Sequence, residues 1–267
     1  MEYLVQRSVM TIRERFHEPL SLDDLARSAM MSKFYFLRLF SRVTGVTPGR
    51  FLSAVRLYEA QRLLLTTTLN VAEISVRVGY ASTGTFSRRF SESVGVSPTQ
   101  YRQLDCAEAE TMHGSQAHAG ADRPPETTTA AATASLTGTV RTQQRPLSAV
   151  YLGLFSSPIM QGRPVAAAFA TDEFRMCDVP PGTWYLHAVA HSAAAWPGEA
   201  HTEPPLLVDM AGPLRITAGA QVTVDLSLRP FDWTRPPILS AVPGVKGALL
   251  PVFHPAGRRA PAVPSSA

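Results

Sequence analysis

The sequence has only two cysteines, Cys106 and Cys177, which lie in different regions without a CxxC spacing. This excludes a cysteine-rich zinc site and makes a disulfide framework a poor explanation. Long apolar runs are also lacking, since no stretch approaches the roughly 20 residues that a membrane-spanning helix needs. The N-terminus does not have the layout of a secretory signal peptide. These absences predict a cytoplasmic protein without a membrane partner.

Sets of catalytic residues are missing as well. No Ser/His/Asp set, pair of carboxylates or phosphate-cradling glycine loop occurs in a convincing context. His187 and His191 would share one face of a strand, but such residues lie about 13 Å apart, too far for one ion. We therefore expect a surface position for these histidines, no metal site, no cofactor and no enzymatic activity.

Acidic residues are few in the first part of the chain. Residues 1–104 hold 14 Lys+Arg against 8 Asp+Glu, a net charge of +6, whereas the remainder holds 11 against 13, a net charge of −2. A basic domain suits a phosphate backbone, although a solvated basic face would explain the charge alone equally well. The 267 residues are enough for two ordinary domains.

An internal repeat with an offset of 50 residues is the main feature that the sequence does have. The stretch SKFYFLRLFS from Ser32, followed by GVTPGRF from Gly45, returns as STGTFSRRFS from Ser82 and GVSPTQY from Gly95. A period in this range indicates a duplicated structural unit. Chance similarity between two amphipathic helices is a poor explanation, because the ending Gly-Val-Thr/Ser-Pro-x-x-aromatic is shared as well.

Apolar periodicity predicts helices over residues 2–16, 21–29, 32–45, 47–66, 70–78 and 82–94. The predicted N-caps are Ser21, Ser32, Thr47, Asn70 and Ser82, and Gly45 would end its helix with a positive φ. Each repeat is then a short helix, a tight turn and a second helix with an exposed polar face. This is the geometry of a helix-turn-helix.

The composition changes after this helical region. Residues 105–134 are poor in large apolar side chains and are expected to form a flexible linker. Alternating apolar residues over 135–230 predict an antiparallel β-sandwich, with turns at Pro180-Pro-Gly182, Ala211-Gly-Pro213 and Ala218-Gly219 and one strand over 221–228. The proline-rich residues 231–267 are expected to be a loosely ordered tail.

The predicted fold class is an all-α double helix-turn-helix domain, residues 1–104, followed by this sandwich. We expect the helical domain to fold and bind DNA alone. Because a flexible linker cannot transmit strain, the sandwich would act by docking onto the basic domain, by self-association or by binding another protein.

The helical region resembles the AraC-type DNA-binding domain over about residues 3–104. The supporting residues are Leu25-Ala26, the Ser32–Pro48 block, Arg56-Leu57, Ala60, Leu63-Leu64, Ile74, Val78-Gly79-Tyr80, Phe86-Ser-Arg-x-Phe90 and Pro98-x-x-Tyr101-Arg102. The resemblance implies a transcriptional regulator that reads two successive major-groove segments of double-stranded DNA with two recognition helices. The 47–66 helix, about 30 Å long, would hold these helices one DNA turn apart. The family usually has alanine where Ser75 stands, and it commonly carries this unit at the C-terminus, so its usual sugar-binding domain is not expected.

The resemblance also places the DNA contacts. Base contacts would come from Phe34, Leu37 and Arg38 in the first recognition helix and from Thr83, Gly84, Ser87 and Arg88 in the second. Arg38 and Arg88 suit bidentate contact with guanine, with a phosphate contact or a pair with a neighbouring helix as alternatives. Gly84 offers no side chain, which favours weaker readout of the second half-site. Contacts with the DNA backbone are expected from Lys33, Arg42 and Arg89.

The second half is similar to the carboxypeptidase regulatory-like domain, a transthyretin-like β-sandwich. The supporting residues are Leu136-Thr-Gly-Thr-Val140, Phe174, Val179-Pro-Pro-Gly182-Thr-Trp-Tyr-Leu186 and Val222-Thr-Val-Asp-Leu226. That domain is not catalytic, so the similarity implies sensing of a small-molecule or protein effector, assembly as a homodimer, or another protein interaction. A regulator of this kind would also contact RNA polymerase.

Two other functions are consistent with parts of the sequence. One is a DNA-repair enzyme with an alkyl-accepting cysteine, which Cys106 in a linker and Cys177 near a strand end do not favour. The other is an adaptor protein that binds DNA weakly and without sequence preference and acts mainly through the sandwich. Salt-dependent binding without sequence preference would favour the adaptor.

Overall fold

The computed structural model describes residues 2–103, 133–143, 149–191, 206–232 and 234–240. The helices are α1 (Glu2–Glu14), α2 (Leu22–Ser28), α3 (Lys33–Thr44), α4 (Pro48–Thr66), α5 (Val71–Arg77), α6 (Thr83–Val94) and a last helical segment at 98–103. The strands are β1 (Ala134–Thr142), β2 (Val150–Phe155), β3 (Ala166–Ala170), β4 (Glu173–Val179), β5 (Gly182–His191), β6 (Leu206–Ile216), β7 (Gln221–Thr223) and β8 (Leu226–Pro230). The prediction of a helical region followed by a sheet-rich region is confirmed. All but the last two residues of the predicted linker lie outside the described residues.

The two helix-turn-helix units begin and end in the same way. Ser21 caps α2 and Asn70 caps α5, each in a capping box with the acidic residue three positions later. The side chains of Ser32 and Ser82 cap α3 and α6, which end at Gly45 (φ 79°) and Gly95 (φ 96°). These predicted caps are confirmed, whereas Thr47 precedes α4 without a side-chain cap hydrogen bond.

The turn inside each unit is also built alike. The backbone N–H of Met31 donates to the carbonyl of Ala26 at 3.0 Å, and that of Tyr80 donates to the carbonyl of Ser75 at 2.9 Å, which is the Schellman arrangement. Gly79 (φ 85°) occupies the left-handed position of the second turn, and Met30 (φ 53°) occupies that of the first. A Cβ at position 79 would lie 2.7 Å from the carbonyl oxygen of His17. Glycine is therefore required there.

The long helix α4 is central to the core of the helical domain, because apolar residues cover most of its surface. Phe51, Val55, Leu57 and Leu64 are all buried, whereas the polar row Ser53, Arg56, Glu59 and Arg62 is half-buried. An edge-to-face aromatic contact joins α3 to α4, with ring centroids 5.6 Å apart between Phe40 and Phe51. Each helix-turn-helix unit thus has a core, and both cores belong to one continuous apolar cluster.

The strands form one mixed sheet in the order β3-β2-β5-β6-β8-β1-β4, with β7 also paired to β1. Strand β1 is parallel to both β7 and β8, while the other pairs are antiparallel. The ends of this path, β3 and β4, are joined by residues 171–172 and lie side by side, so the sheet is barrel-like. The predicted antiparallel sandwich is therefore not confirmed.

Two connections differ from their predictions. Residues 211–213 were expected to form a turn, but they lie within β6, where the register between β5 and β6 shifts between Trp184 and Leu186. A bulge tolerates proline, because ladder hydrogen bonding is already interrupted there. Residues 221–228 were expected to form one strand, yet they are divided between β7 and β8, which pair with different parts of β1.

Strand β2 is buried on both faces. Val150, Leu152 and Leu154 belong to the core of the sheet domain, whereas Tyr151 and Phe155 belong to the apolar cluster of the helices. The outer face of the sheet therefore packs against the helical domain. Of the alternatives left open for the sheet domain, the structure thus has it docked on the helical domain, through outward-facing residues that are apolar as well.

The first part of the expected loose tail is packed between the domains. We call residues 231–232 and 234–240 the strap. Its Ile238 and Leu239 are 6% and 1% exposed, and the carbonyl of Leu239 accepts a 2.9 Å hydrogen bond from Gln61 Nε2 of α4. The burial of these apolar side chains thus offsets the entropy cost of ordering the strap. Its proline content alone predicts a loose segment. Residues 241–267 lie outside the described residues.

Candidate nucleic-acid interface

Helix α3, the predicted first recognition helix, has its predicted base contacts on its N-terminal half. The side of α3 that carries Phe36 and Phe40 is fully buried, whereas Phe34 on the other side is 78% exposed. Arg38 is exposed and Leu37 is half-buried. Within the described part of the chain, Arg38 has no hydrogen-bond or ion-pair partner. Its guanidinium is thus available to a ligand.

The cations that flank this face differ in their surroundings. Lys33 Nζ lies 3.0 Å from Asp23 Oδ2, in an exposed ion pair between α2 and α3. Arg42 is exposed at the last turn of α3 and lines a cavity of about 230 Å³ between α3 and the sheet domain. Lys33 is therefore at the start of the recognition helix and Arg42 at its end.

Helix α6, the predicted second recognition helix, has a similar exposed face with smaller side chains. Gly84 and Arg88 are exposed, and Thr83 and Ser87 are half-buried. Arg88 Nη1 lies 2.9 Å from Glu92 Oε1, one helical turn away. Unlike Arg38, Arg88 therefore has a competing partner on its own helix.

A buried hydroxyl supports the start of α6. Ser75 Oγ donates to the carbonyl of Ala72 and lies 3.3 Å from Thr83 Oγ1. The expectation for Ser75 was only that it packs in place of alanine. Sequence reasoning missed this contact and also Glu92, although the i, i+4 spacing from Arg88 is a recognisable signal for the second.

Three arginines of the basic domain serve as internal ties. Arg56 donates to the carbonyls of Phe16 and Glu18 at 2.7 and 2.8 Å, and burial lowers its pKa. Arg102 donates to the carbonyls of Leu64 and Leu69. Burial lowers the pKa of Arg13 to about 10, and its guanidinium donates to the carbonyl of Arg235 at 3.1 Å. The net charge of the domain thus overstates the charge available to DNA.

A second groove, of about 460 Å³, separates α4 and α6 from the sheet domain. Arg50, Arg56 and Arg89 line it, and no carboxylate does so among the described residues. Arg50 Nη2 donates to Ser157 Oγ of the sheet domain at 2.8 Å. Arg89, a predicted backbone contact, is exposed beside this basic groove.

His187 is buried at the domain boundary, which corrects the expectation of a surface position. Its side of β5 packs towards the helices, and the residue is 7% exposed. Its Nε2 donates to the carbonyl of Ser157 at 3.2 Å. Burial, with a smaller effect of Arg235, lowers the pKa of His187 to about 4. The imidazole is therefore neutral near pH 7.

The described residues include no group of three or more His, Cys, Asp or Glu side chains that could hold a metal ion. Cys177 is exposed in β4, and Cys106 lies outside the described residues. No helix in the described ranges is long and apolar enough to cross a membrane.

Comparison with known proteins identifies the helical domain. A family model described as a helix-turn-helix domain matches residues 25–104. The chain is 36% identical over 110 residues to the transposon Tn10 TetD protein of Escherichia coli, which covers 41% of this chain and 80% of that protein. The chain belongs to the AraC family of helix-turn-helix proteins. The family model does not extend into the sheet domain, since it ends at residue 104.

Another matched protein is longer than TetD, so that the chain covers less of it. The lactose operon transcription activator of Staphylococcus xylosus is 29% identical over 98 residues, and the chain spans only 35% of its length. That alignment covers 37% of this chain. Among solved structures, the DNA-binding domain of AdpA in complex with a target DNA is 33% identical, covering 40% of this chain and 96% of that chain, with a TM-score of 0.38.

Proposed function

We propose that this AraC-family protein is a transcriptional regulator that binds double-stranded DNA in a sequence-specific manner, with α3 and α6 in two successive major grooves. The observation that carries this proposal is the duplicated exposed face. Arg38 and Arg88 occupy equivalent exposed positions near the start of the two helices. Helix-turn-helix proteins contact base edges with the N-terminal residues of the recognition helix.

The length of α4 supports two-site reading by one chain. Its 19 residues span about 28 Å, which approaches the roughly 34 Å between successive major grooves on one face of B-DNA. Because most residues of α4 are buried, it can act as a stiff spacer. One chain then reaches both grooves without forming a dimer.

The two half-sites are expected to contribute unequally. Arg38 can form a bidentate contact with guanine without giving up a protein partner, and Phe34 beside it can contact a thymine methyl group. Arg88 must first leave Glu92, an exposed pair of a kind that contributes about 0.3–0.5 kcal/mol. Gly84 adds no side chain. Most of the specificity should therefore come from α3, with Leu37, Thr83 and Ser87 as supporting contacts.

The backbone contacts are assigned to Lys33, Arg42 and Arg89. All three are exposed beside a recognition helix, and cations in such positions bind phosphates and release counterions. Because Arg42 and Arg89 also border the sheet domain, the DNA backbone would pass close to it.

The sheet domain is proposed to bind rather than to catalyse, as its similarity to the carboxypeptidase regulatory-like domain implies. The roles that we infer for it are binding of a small-molecule or protein effector, homodimer formation and contact with RNA polymerase. The cavity beside Arg42 supports an effector role, because a ligand there would contact the end of α3.

Selection of DNA fragments by the purified full-length protein tests the proposal, since a regulator should select a bipartite consensus with half-sites about one helical turn apart. Arg38→Ala should then weaken binding to the selected site by about 1–3 kcal/mol, the usual value for a bidentate base contact. Arg38→Lys should lose most of the specificity while keeping the charge. Arg175→Ala, which removes an exposed arginine of β4, is the control for net charge.

Two results would contradict this reading. Equal losses by Arg38→Ala on selected and scrambled DNA would make Arg38 a phosphate contact. Selection without any consensus, together with strongly salt-dependent binding, would favour an adaptor that binds DNA without sequence preference.

A further inference from the structure

The connection between β2 and β3 touches both helix-turn-helix units. We call residues 157–163 the bridging loop. At its start, Ser157 Oγ accepts the hydrogen bond from Arg50 in the first turn of α4. Near its end, the backbone N–H of Gly162 donates to the carbonyl of Ser93 in the last turn of α6. The loop therefore spans from the helix that follows the first recognition helix to the second recognition helix itself.

The same loop also lies beside the end of α3. Met160 lines the 230 Å³ cavity together with Val43, Thr44 and Gly45 of the first recognition helix. At the other end of the loop, Arg163 would lie 3.3 Å from a Cβ at Gly95, directly after α6. The end of α6 thus contacts the loop, and the end of α3 faces it across the cavity, while Arg38 and Arg88 remain exposed.

The strap holds the bridging loop in place. The N–H groups of Leu239 and Ser240 donate to the carbonyl of Met160 at 2.9 and 3.0 Å, and Ser240 Oγ donates to the carbonyl of Gly162 at 2.7 Å. The strap is in turn fixed to α4 by Gln61, whose amide is 5% exposed and donates to Leu239. A buried amide needs such a partner. Here the strap supplies it.

We infer that the bridging loop is a positioning element that sets the spacing between the two DNA half-sites that the protein accepts. The inference rests on the proposed function, because it concerns the same two recognition helices. A single connection through α4 fixes the separation of the two units but leaves their relative rotation to local packing. A second connection, from the end of α6 at Ser93 to the start of α4 at Arg50, removes that freedom.

The test uses the full-length protein and the bipartite site obtained by selection. Fluorescence anisotropy would measure binding to this site, to versions with one or two base pairs added or removed between the half-sites, and to each half-site alone. The wild type should prefer the selected spacing. Ser157→Ala and Gln61→Leu each remove a hydrogen bond that anchors the loop or the strap. Each should weaken binding at the selected spacing by about two- to tenfold, the range for one net hydrogen bond.

The same variants should bind the altered spacings and the single half-sites as the wild type does, so that the preference for one spacing shrinks. Ser227→Ala in β8 is the matched control, because it removes an exposed hydroxyl far in sequence from the loop and should change nothing. Gly162→Val is a stronger perturbation, since its Cβ would lie 3.3 Å from the carbonyl of Glu92 and its φ is +72°. Where Gly162→Val does not fold, the Ser157 and Gln61 variants decide.

Four results would overturn the inference. The loop variants could keep the full spacing preference of the wild type, which would show that α4 alone positions α6. They could bind the bipartite site more tightly, which would show that the docked sheet domain obstructs DNA. A wild-type protein that selects no bipartite site would overturn the proposed function itself, and the inference with it. Half-site binding without spacing preference would leave the DNA-binding function standing and remove only the inference.

Discussion

The buried histidine at the domain boundary predicts an acid-sensitive fold. In the folded protein His187 has a pKa of about 4, below the ordinary value of 6.5. Between these values the unfolded chain binds a proton that the folded chain does not. The free energy of unfolding must therefore fall as the pH decreases through this window, and the stabilisation is fully present only above pH 6.5.

The size of the effect follows from the two pKa values. From pH 7 to pH 5 the linkage relation gives a loss of about 2 kcal/mol from this one group. The charged groups that line the cavity beside His187 are Arg42, Asp209 and Arg235. Asp209 accepts a 2.7 Å hydrogen bond from the N–H of Ser227, and the charge of Arg235 acts against protonation of the imidazole.

Urea unfolding at pH 7 and pH 5 measures this loss by comparing the wild type with His187→Gln. Glutamine keeps an N–H donor for the carbonyl of Ser157 but does not titrate, so the variant should lose about 2 kcal/mol less than the wild type between the two pH values. His17→Gln, which removes an exposed histidine, is the matched control and should follow the wild type. A parallel fall of the wild type and His187→Gln would refute the reasoning.

Two further predictions concern stability. A fragment of residues 1–104 should fold, but with a free energy of unfolding at least about 2 kcal/mol lower than that of the full-length protein. The reason is that Leu57 and neighbouring apolar residues, which the sheet domain and the strap cover, would be exposed to water. Equal urea midpoints would contradict this. Met30→Gly should raise the free energy of unfolding by about 0.5–1 kcal/mol. The left-handed conformation costs an L side chain about 1–2 kcal/mol, but part of this gain is cancelled because glycine loses more conformational entropy on folding. Met10→Gly in α1 should instead lower stability by about 1 kcal/mol, and a loss in both variants would show that Met30 is not strained.

The helical domain could be predicted from the sequence because its signals are local. Capping boxes at Ser21 and Asn70 and the glycines after α3 and α6 act within a few residues of their partners. The alternation of apolar residues likewise predicted most strands. It did not predict the closure of the sheet or the parallel pairs of β1, because such pairings depend on residues far apart in the chain.

The packing between the domains could not be predicted for a related reason. Alternation predicts one buried face, and nothing in the order of residues says that Tyr151 and Phe155 on the other face meet the helices. The strap is ordered although its proline content predicts a loose tail, because Ile238 and Leu239 are buried against the helical domain. At the candidate site, the exposed face of α3 followed from periodicity. Periodicity does not say whether Arg88 pairs with Glu92 on its own helix or stays free to contact DNA.

The two-sided burial of β2 has a consequence for how such a protein can be recombined. The helical domain ends in sequence near residue 104, so a chimaera made by joining it to another sensing domain would seem a simple exchange. Such a chimaera would expose the side of α4 that carries Ala54, Leu57 and Gln61, which here contacts the bridging loop and the strap. An exchange of this sheet domain between regulators would also have to transfer the residues of α4 that pack against it. The segment that can be exchanged as a unit is therefore larger than the sheet domain alone.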